Sequence, residues 1–208
     1  MKRTIIAMAF SLFLLSGCFF PSAPDIAVNF YTLDYQPPVS PPLPACDAGI
    51  KIMRFSAAQE INTQSMLFSS GPGLRQMYNY SRWRIYPADL CTDYLSRDFR
   101  AAEVLKVVGS GLSRFRLEGA VYEFWRIDRP QGSVVRLALS CTLLDQYGRE
   151  NISDQLLFQR NYMQEVTVND EAPITMALAM SQAFAAFSRQ VQSDVYQAVR
   201  ARLSQPGQ

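Results

Sequence analysis

Histidine is absent from all 208 residues. That excludes Ser-His-Asp and Cys-His catalysis, His-ligated zinc and the commonest proton shuttle near neutral pH. Glycine is sparse, at ten residues. The stretches Gly71-Pro72-Gly73 and Gly109-Ser110-Gly111 lack the Gly-Lys-Ser/Thr ending of a phosphate loop, so no nucleotide cofactor is indicated. Charge of one sign is missing as well: twenty basic residues stand against eighteen acidic ones, with no Lys/Arg run. Such a balance gives no field for nucleic acid. No run reaches the about 20 apolar residues that a transmembrane helix needs. Neighbouring carboxylates, Asp93 with Asp98 and Asp170 with Glu171, read as a solvated helix face and a helix start rather than an acid–base pair. These absences argue against an enzyme and against a bound metal or cofactor.

The first residues carry what the rest lacks. Lys2 and Arg3 form a short positive start, and Thr4 to Leu15 is a nearly continuous apolar run. A charged start, a short apolar stretch and small residues before a cut site describe an export signal. Leu15-Ser16-Gly17-Cys18 resembles the bacterial lipobox, in which a peptidase cuts before a cysteine whose thiol carries a diacylglycerol. The small Ser16 and Gly17 suit such a peptidase. Acyl chains contribute about 0.8 kcal/mol per buried methylene, so two or three of them hold a protein on a bilayer. In bacteria with two membranes an aspartate after the lipidated cysteine favours the inner membrane. Phe19 stands there, so the resemblance implies the outer membrane, periplasmic face, anchored through Cys18.

Residues 1–17 are thus expected to be a lipoprotein signal, 18–29 a tether and 30–204 a single periplasmic domain. About 190 residues remain after cleavage, a size that fits one domain. Hydrophobic residues make up 49% of the chain, ample for a core. Phe30 to Tyr35 reads as a first strand. Five prolines between Pro37 and Pro44 then favour an extended surface loop, with a partner motif as the other reading. Ile50 to Phe55 predicts a short strand. MLFSS, the Gly71-Pro72-Gly73 turn and LRQMYNYSRWRIY predict a hairpin. Pro87 suits a helix first turn, and Leu90, Tyr94, Leu95, Phe99 and Ala102 share one helical face. VLKVV reads as a short strand. FRLEGAVYEFWRID, SVVRLALSCTLLD and SDQLLFQRNYMQEV then predict an antiparallel meander. In its middle strand Val135, Leu137, Leu139, Cys141 and Leu143 alternate with Arg136, Ala138, Ser140 and Thr142. One face is therefore buried and the other partly wet. After Asp170 and Pro173, Ala177, Met180, Phe184, Phe187, Val191, Val195 and Val199 step by three and four, a helix of about eight turns suited to lie across a sheet. The expected fold is α+β: a mainly antiparallel or mixed sheet with two helices packed on one face.

Three cysteines remain beyond Cys18. Cys46, Cys91 and Cys141 match no metal-binding spacing, and either two of them pair in the oxidising periplasm or all are isolated buried thiols. Arg75, Tyr78, Tyr80, Arg82, Trp83, Arg84 and Tyr86 crowd one segment. Its strand character favours the aromatic half of a core with arginines reaching outward. The same residue types also make a candidate partner-binding surface, because Tyr, Trp and Arg carry much interface energy. Sheet edges of a meander offer a second route, pairing with a partner or with another copy of the chain.

Several features recur together: the lipobox, the first strand Phe30-Tyr31-Thr32-Leu33-Asp34, and Tyr80-Ser81-Arg82-Trp83 followed by Pro87 and a helix. Leu117-Glu118-Gly119-Ala120-Val121-Tyr122-Glu123-Phe124, Leu143-Leu144-Asp145 before a glycine turn and the long final helix complete the set. The ensemble, over about residues 30 to 200, resembles the ABC-type transport auxiliary lipoproteins of paraquat-inducible-type and related intermembrane transport systems. The proline-rich insert before Cys46 departs from that pattern. The resemblance implies a non-enzymatic auxiliary subunit that works with an ABC permease and ATPase and a mammalian-cell-entry-type binding subunit to move lipids or other hydrophobic compounds. The alternative, resting on the lipobox and the missing catalytic residues alone, is a structural or assembly lipoprotein of the outer membrane with a different partner.

Overall fold

The computed structural model describes residues 26–38, 44–147 and 152–204. The expected signal, Cys18 and most of the tether lie outside the described residues, as does the centre of the proline run. Three long antiparallel strands form the frame: β7 (Phe115–Ile127), β8 (Ser133–Asp145) and β9 (Leu156–Val168), each 13 residues. A single helical turn, Ile152–Gln155, leads into β9 where the sequence had suggested more strand. The other long edge of β7 takes three short strands in succession, all parallel to it. β2 (Gly49–Ile52) pairs at its start, β3 (Ser56–Ala57) in its middle and β4 (Ser65–Ser69) at its end. β6 (Lys106–Val107) extends the sheet beyond β2. β5 (Gln76–Trp83) forms the expected hairpin with β4, and β1 (Asn29–Tyr31) lies parallel to β5. Among the described residues the sheet is mixed and has nine strands.

Two helices cover one face. Helix α1 (Pro87–Ala102) starts with Pro87 in its first turn, where a missing N–H costs nothing, and stops at Glu103, which takes a left-handed conformation at φ 53°. Helix α2 (Pro173–Ser204) runs 32 residues across the meander. Every residue of its predicted stripe, Ala177 through Val199, is buried. Small residues on that side, Ala179, Ser181, Ala183 and Ser188, let the helix approach the sheet closely. Opposite it, Val135, Leu137, Leu139, Cys141 and Leu143 are all buried, as their alternation predicts. No helix among the described residues is long and apolar enough to cross a membrane.

Two irregularities shape the chemistry of the sheet. β7 shifts register between Val121 and Glu123, so its helix-facing side passes from Phe115, Leu117 and Val121 to Phe124 and Arg126. That shift carries an arginine into the interior. Gly119 lies on the same side with the Phe55 ring against its backbone; a Cβ there would sit 2.4 Å from the ring. The first strand is shorter than its sequence suggests. Pairing ends at Tyr31, and Thr32 to Pro38 follows without regular structure. Side chains hold this segment instead: the Tyr94 hydroxyl donates to the Leu33 carbonyl and the Asp34 amide donates to Ser181 Oγ at 2.9 Å.

Candidate docking surface

The segment from Arg75 to Tyr86 divides between core and surface. Trp83 is fully buried and meets the Phe124 ring edge-on at 5.0 Å, so it is a core residue and not part of a partner surface. β5 departs from simple alternation: Leu67 opposes Met77 while Ser65 opposes Arg82, leaving an excess of residues on β5. Such a bulge re-aims the side chains on either side of it. Tyr78 consequently turns half inward, against the Phe68 ring. Its hydroxyl donates to the Glu171 carbonyl at 2.9 Å and accepts from Arg126 Nη1. Burial pushes the Tyr78 phenol up, against the pull of the Arg126 charge. Arg82 is half-buried, and its Nη1 donates to the carbonyls of Tyr78 (2.6 Å) and Ser81 (3.0 Å), closing the bulge.

The outward members are Arg75, Tyr80, Arg84 and Tyr86. The Arg75 guanidinium lies 4.1 Å above the Trp125 ring, shielding that indole on the sheet face opposite the helices. Arg84 donates its amide to the Tyr31 carbonyl at 2.7 Å, continuing the β1–β5 pairing. Phe30 opposes Arg82 in that pairing and projects to solvent.

Three charged residues, Asp98, Asp145 and Arg126, are buried and form internal ties. Asp98, read with Asp93 as part of a solvated face, is completely buried, whereas Asp93 is exposed. It accepts hydrogen bonds from Tyr35 (2.6 Å), Ser188 (2.7 Å) and Arg97 (2.9 Å), and Arg97 in turn stacks on the rings of Tyr35 and Tyr94. A signal existed: Asp98 falls on α1 between Leu95 and Ala102 in the apolar stripe, where Asp93 does not. Asp145 takes Arg114 and Arg202 at 2.9 Å each, joining β7, β8 and the end of α2. Arg126 is held by Asp128 and the Glu171 carbonyl. Each of these carboxylates is held by at least one arginine.

Among the described residues Cys46, Cys91 and Cys141 are free thiols, and no two of them pair. Burial pushes Cys91 well up and Cys141 up to about 12, so neither is a thiolate at neutral pH. Among the described residues no three metal-ligating side chains converge. An open cleft of about 380 Å³ lies between the β4–β5 and β7–β8 turns, flanked by Arg75, Arg129 and Arg136. Arg129 and Arg136 both bind Glu165 at 2.7 Å, which leaves Arg75 as the one arginine of the cleft without a close carboxylate among the described residues.

The fold itself is shared. Protein XCC0632 from Xanthomonas campestris superposes with a TM-score of 0.78 at 17% identity, over 86% of this chain and 100% of that one. Hypothetical protein CT253 from Chlamydia trachomatis superposes with a TM-score of 0.53 at 9% identity, over 75% of this chain and 99% of the other. No curated protein matches the chain in sequence. A family model does, spanning residues 31–192 from the first strand into the long helix, and by that match the chain belongs to the ABC-type transport auxiliary lipoprotein component family.

Proposed function

We propose that this chain is a non-enzymatic auxiliary subunit of an ABC-type intermembrane transport system that moves lipids or other hydrophobic compounds, fixed to the periplasmic face of the outer membrane through acylated Cys18. The observation that carries the reading is the family match over residues 31–192. The lipobox Leu15-Ser16-Gly17-Cys18 supports the anchor, and Phe19 supports the outer membrane. Residues 30–204 form the periplasmic domain. Its work is docking: it holds one end of a conduit built by a mammalian-cell-entry-type binding subunit and driven by the permease and ATPase.

The protein partner is assigned to β9. That strand pairs only with β8 among the described residues, and it offers 13 residues of open edge. An uncovered edge of this length presents a row of main-chain donors and acceptors to a strand from another protein. Met163 and Leu156 add exposed apolar side chains along it. A photo-crosslinker placed at Gln159 or Met163 of the full-length protein in intact cells tests this. Capture of the binding subunit or permease is the expected result. Capture only of an envelope protein outside any transporter overturns it and leaves a structural or assembly lipoprotein. Anchoring is checked separately: the mature N-terminus should be a lipid-modified cysteine, and Cys18→Ala should accumulate a longer precursor.

A further inference from the structure

The structure points to a second docking face with a different occupant. We infer that the β1–β5 edge lies on the bilayer, with Val28, Phe30 and Tyr80 entering the lipid interface and the exposed Arg75 and Arg84 facing anionic phospholipid headgroups. The inference rests on the anchoring of Cys18 proposed above.

Among the described residues fifteen large apolar side chains are exposed, and six of them fall in two short adjoining segments. Ile26, Val28 and Phe30 are 50%, 44% and 64% exposed, at every second position of the chain entering β1. Leu74, Met77 and Tyr80 follow on the β4–β5 hairpin beside them, 47%, 57% and 46% exposed. β1 packs parallel to β5, with Asn29 opposite Ser81, so the chain reaches the sheet from the side on which β5 begins. The apolar stripe and the hairpin residues therefore share the side from which the tether arrives. Buried apolar area at an interface is stabilising in proportion to its extent, and exposure of this kind in a soluble domain marks a contact.

Charge selects the occupant. From Ile61 to Tyr86 there is no Asp or Glu, while Arg75, Arg82 and Arg84 all fall within it. Arg75, stacked on Trp125, has Glu60 at 4.0 Å as its one carboxylate partner, Arg82 is taken up by the Tyr78 and Ser81 carbonyls, and Arg84 forms no ion pair among the described residues. Aromatic and aliphatic side chains ringed by arginine suit the headgroup layer, where the rings sit at the boundary and the guanidinium groups meet phosphate. Tether length completes the case. Ile26 is eight residues beyond Cys18, a reach of at most about 28 Å when fully extended. An acylated Cys18 thus holds this edge within a few side-chain lengths of the bilayer at all times.

The test uses the acylated full-length protein, with Cys46→Ser to remove the one half-buried thiol, reconstituted in vesicles of phosphatidylcholine with phosphatidylglycerol. A solvent-sensitive fluorophore is attached at Phe30→Cys, at Tyr80→Cys or, as control, at Met163→Cys on the far edge of the sheet. Flotation reads the anchor, and quenching by spin-labelled lipid reads the docked face. The expected result is a blue-shifted, lipid-quenched signal at positions 30 and 80 and none at 163. Replacing Arg75 and Arg84 by Gln, or omitting phosphatidylglycerol, should weaken the docked population by roughly fivefold per arginine lost. Protein that floats while all three probes report water overturns the docking and leaves the anchor standing. Protein that does not float overturns the anchor and this inference with it. Quenching unchanged by lipid but altered by protein concentration, with Phe30→Cys chains crosslinking to each other, assigns the stripe to a second copy and overturns it as well.

Discussion

The two faces of the β7–β8–β9 meander are made from alternate residues of the same strands, yet different forces hold them. Toward α2, Val135, Leu137, Leu139, Cys141 and Leu143 are sealed from water by Phe184, Phe187 and Val191. Away from it, Glu123, Arg136, Glu165 and Arg129 form an exposed chain of ion pairs beside Ala138, Ser140 and Thr142. Burial of a phenylalanine is worth several kcal/mol, while an exposed ion pair is worth at most about 1 kcal/mol. Stability is therefore concentrated on the covered face. The open face is left free to change or to bind with little effect on the fold.

The largest expected effect tests the covered face. Phe184 is buried between the Phe187 ring at 5.4 Å and the Tyr35 ring at 5.9 Å. Phe184→Ala should lower unfolding free energy by about 3–5 kcal/mol in urea titration. A loss under about 1 kcal/mol would mean that α2 is not what seals the sheet, and the contrast between faces would fail.

Asp98 sharpens the same contrast, because it places a charge within the covered layer. Asp98→Ala leaves the Tyr35 and Ser188 hydroxyls and the inner side of Arg97 without their acceptor, and should cost about 2–4 kcal/mol. Since Tyr35 belongs to the segment after β1, hydrogen exchange at the amides of Leu33 to Tyr35 should accelerate more than exchange in β8. Equal acceleration everywhere would show that the tie serves global stability only. It would not then be a local clamp on the tether side.

Asp145 gives the pH test. Burial pushes its carboxyl up, but hydrogen bonds from Arg114, Arg202 and the Tyr147 amide outweigh that and hold it below the usual carboxylate range. A lowered value in the folded state means that the ionised form is bound more tightly there than in the unfolded chain. The stabilisation is thus complete above the ordinary value of about 3.9 and is lost as pH falls through the lower folded value. Asp145→Asn should be clearly less stable than the native chain at neutral pH, with the gap narrowing below about pH 4. A gap independent of pH would assign the role of Asp145 to shape alone.

How much of this was legible before the fold was known follows the same division. The limits of β7 and β8 and the stripe of α2 are written locally, as periods of two and of three to four, because one continuous face is buried along each. The short strands β2 and β4 are legible as strands, but β3 is not, and nothing local records that all three run parallel to β7; partners as distant as Ser56 and Ala120 meet only in the finished sheet. The inward turns of Tyr78 and Arg126 were hidden for a related reason. A bulge in β5 and a register shift in β7 exchange inside for outside, and alternation read along one strand cannot register an extra residue in its neighbour. In the docking segment the residue types were visible, but their division into core (Trp83), brace (Tyr78, Arg82) and surface (Arg75, Tyr80, Arg84, Tyr86) depends on that bulge.

The smallest expected effect lies on the open face, and it tests whether that face is open in solution. Glu165 accepts from Arg129 and Arg136, and these contacts hold its carboxyl below the usual range despite some burial. All three side chains remain in partial contact with water. Water and salt screen such pairs, so Glu165→Gln should change stability by less than about 1 kcal/mol, and added salt should shrink the difference further. A double-mutant cycle with Arg136→Gln isolates the pair from other effects of each change. Coupling well above about 1 kcal/mol, insensitive to salt, would require a dry environment around Glu165. The face that the isolated chain leaves exposed would then be covered in solution, and the contrast between a sealed face and a free one would have to be redrawn as one between two interfaces.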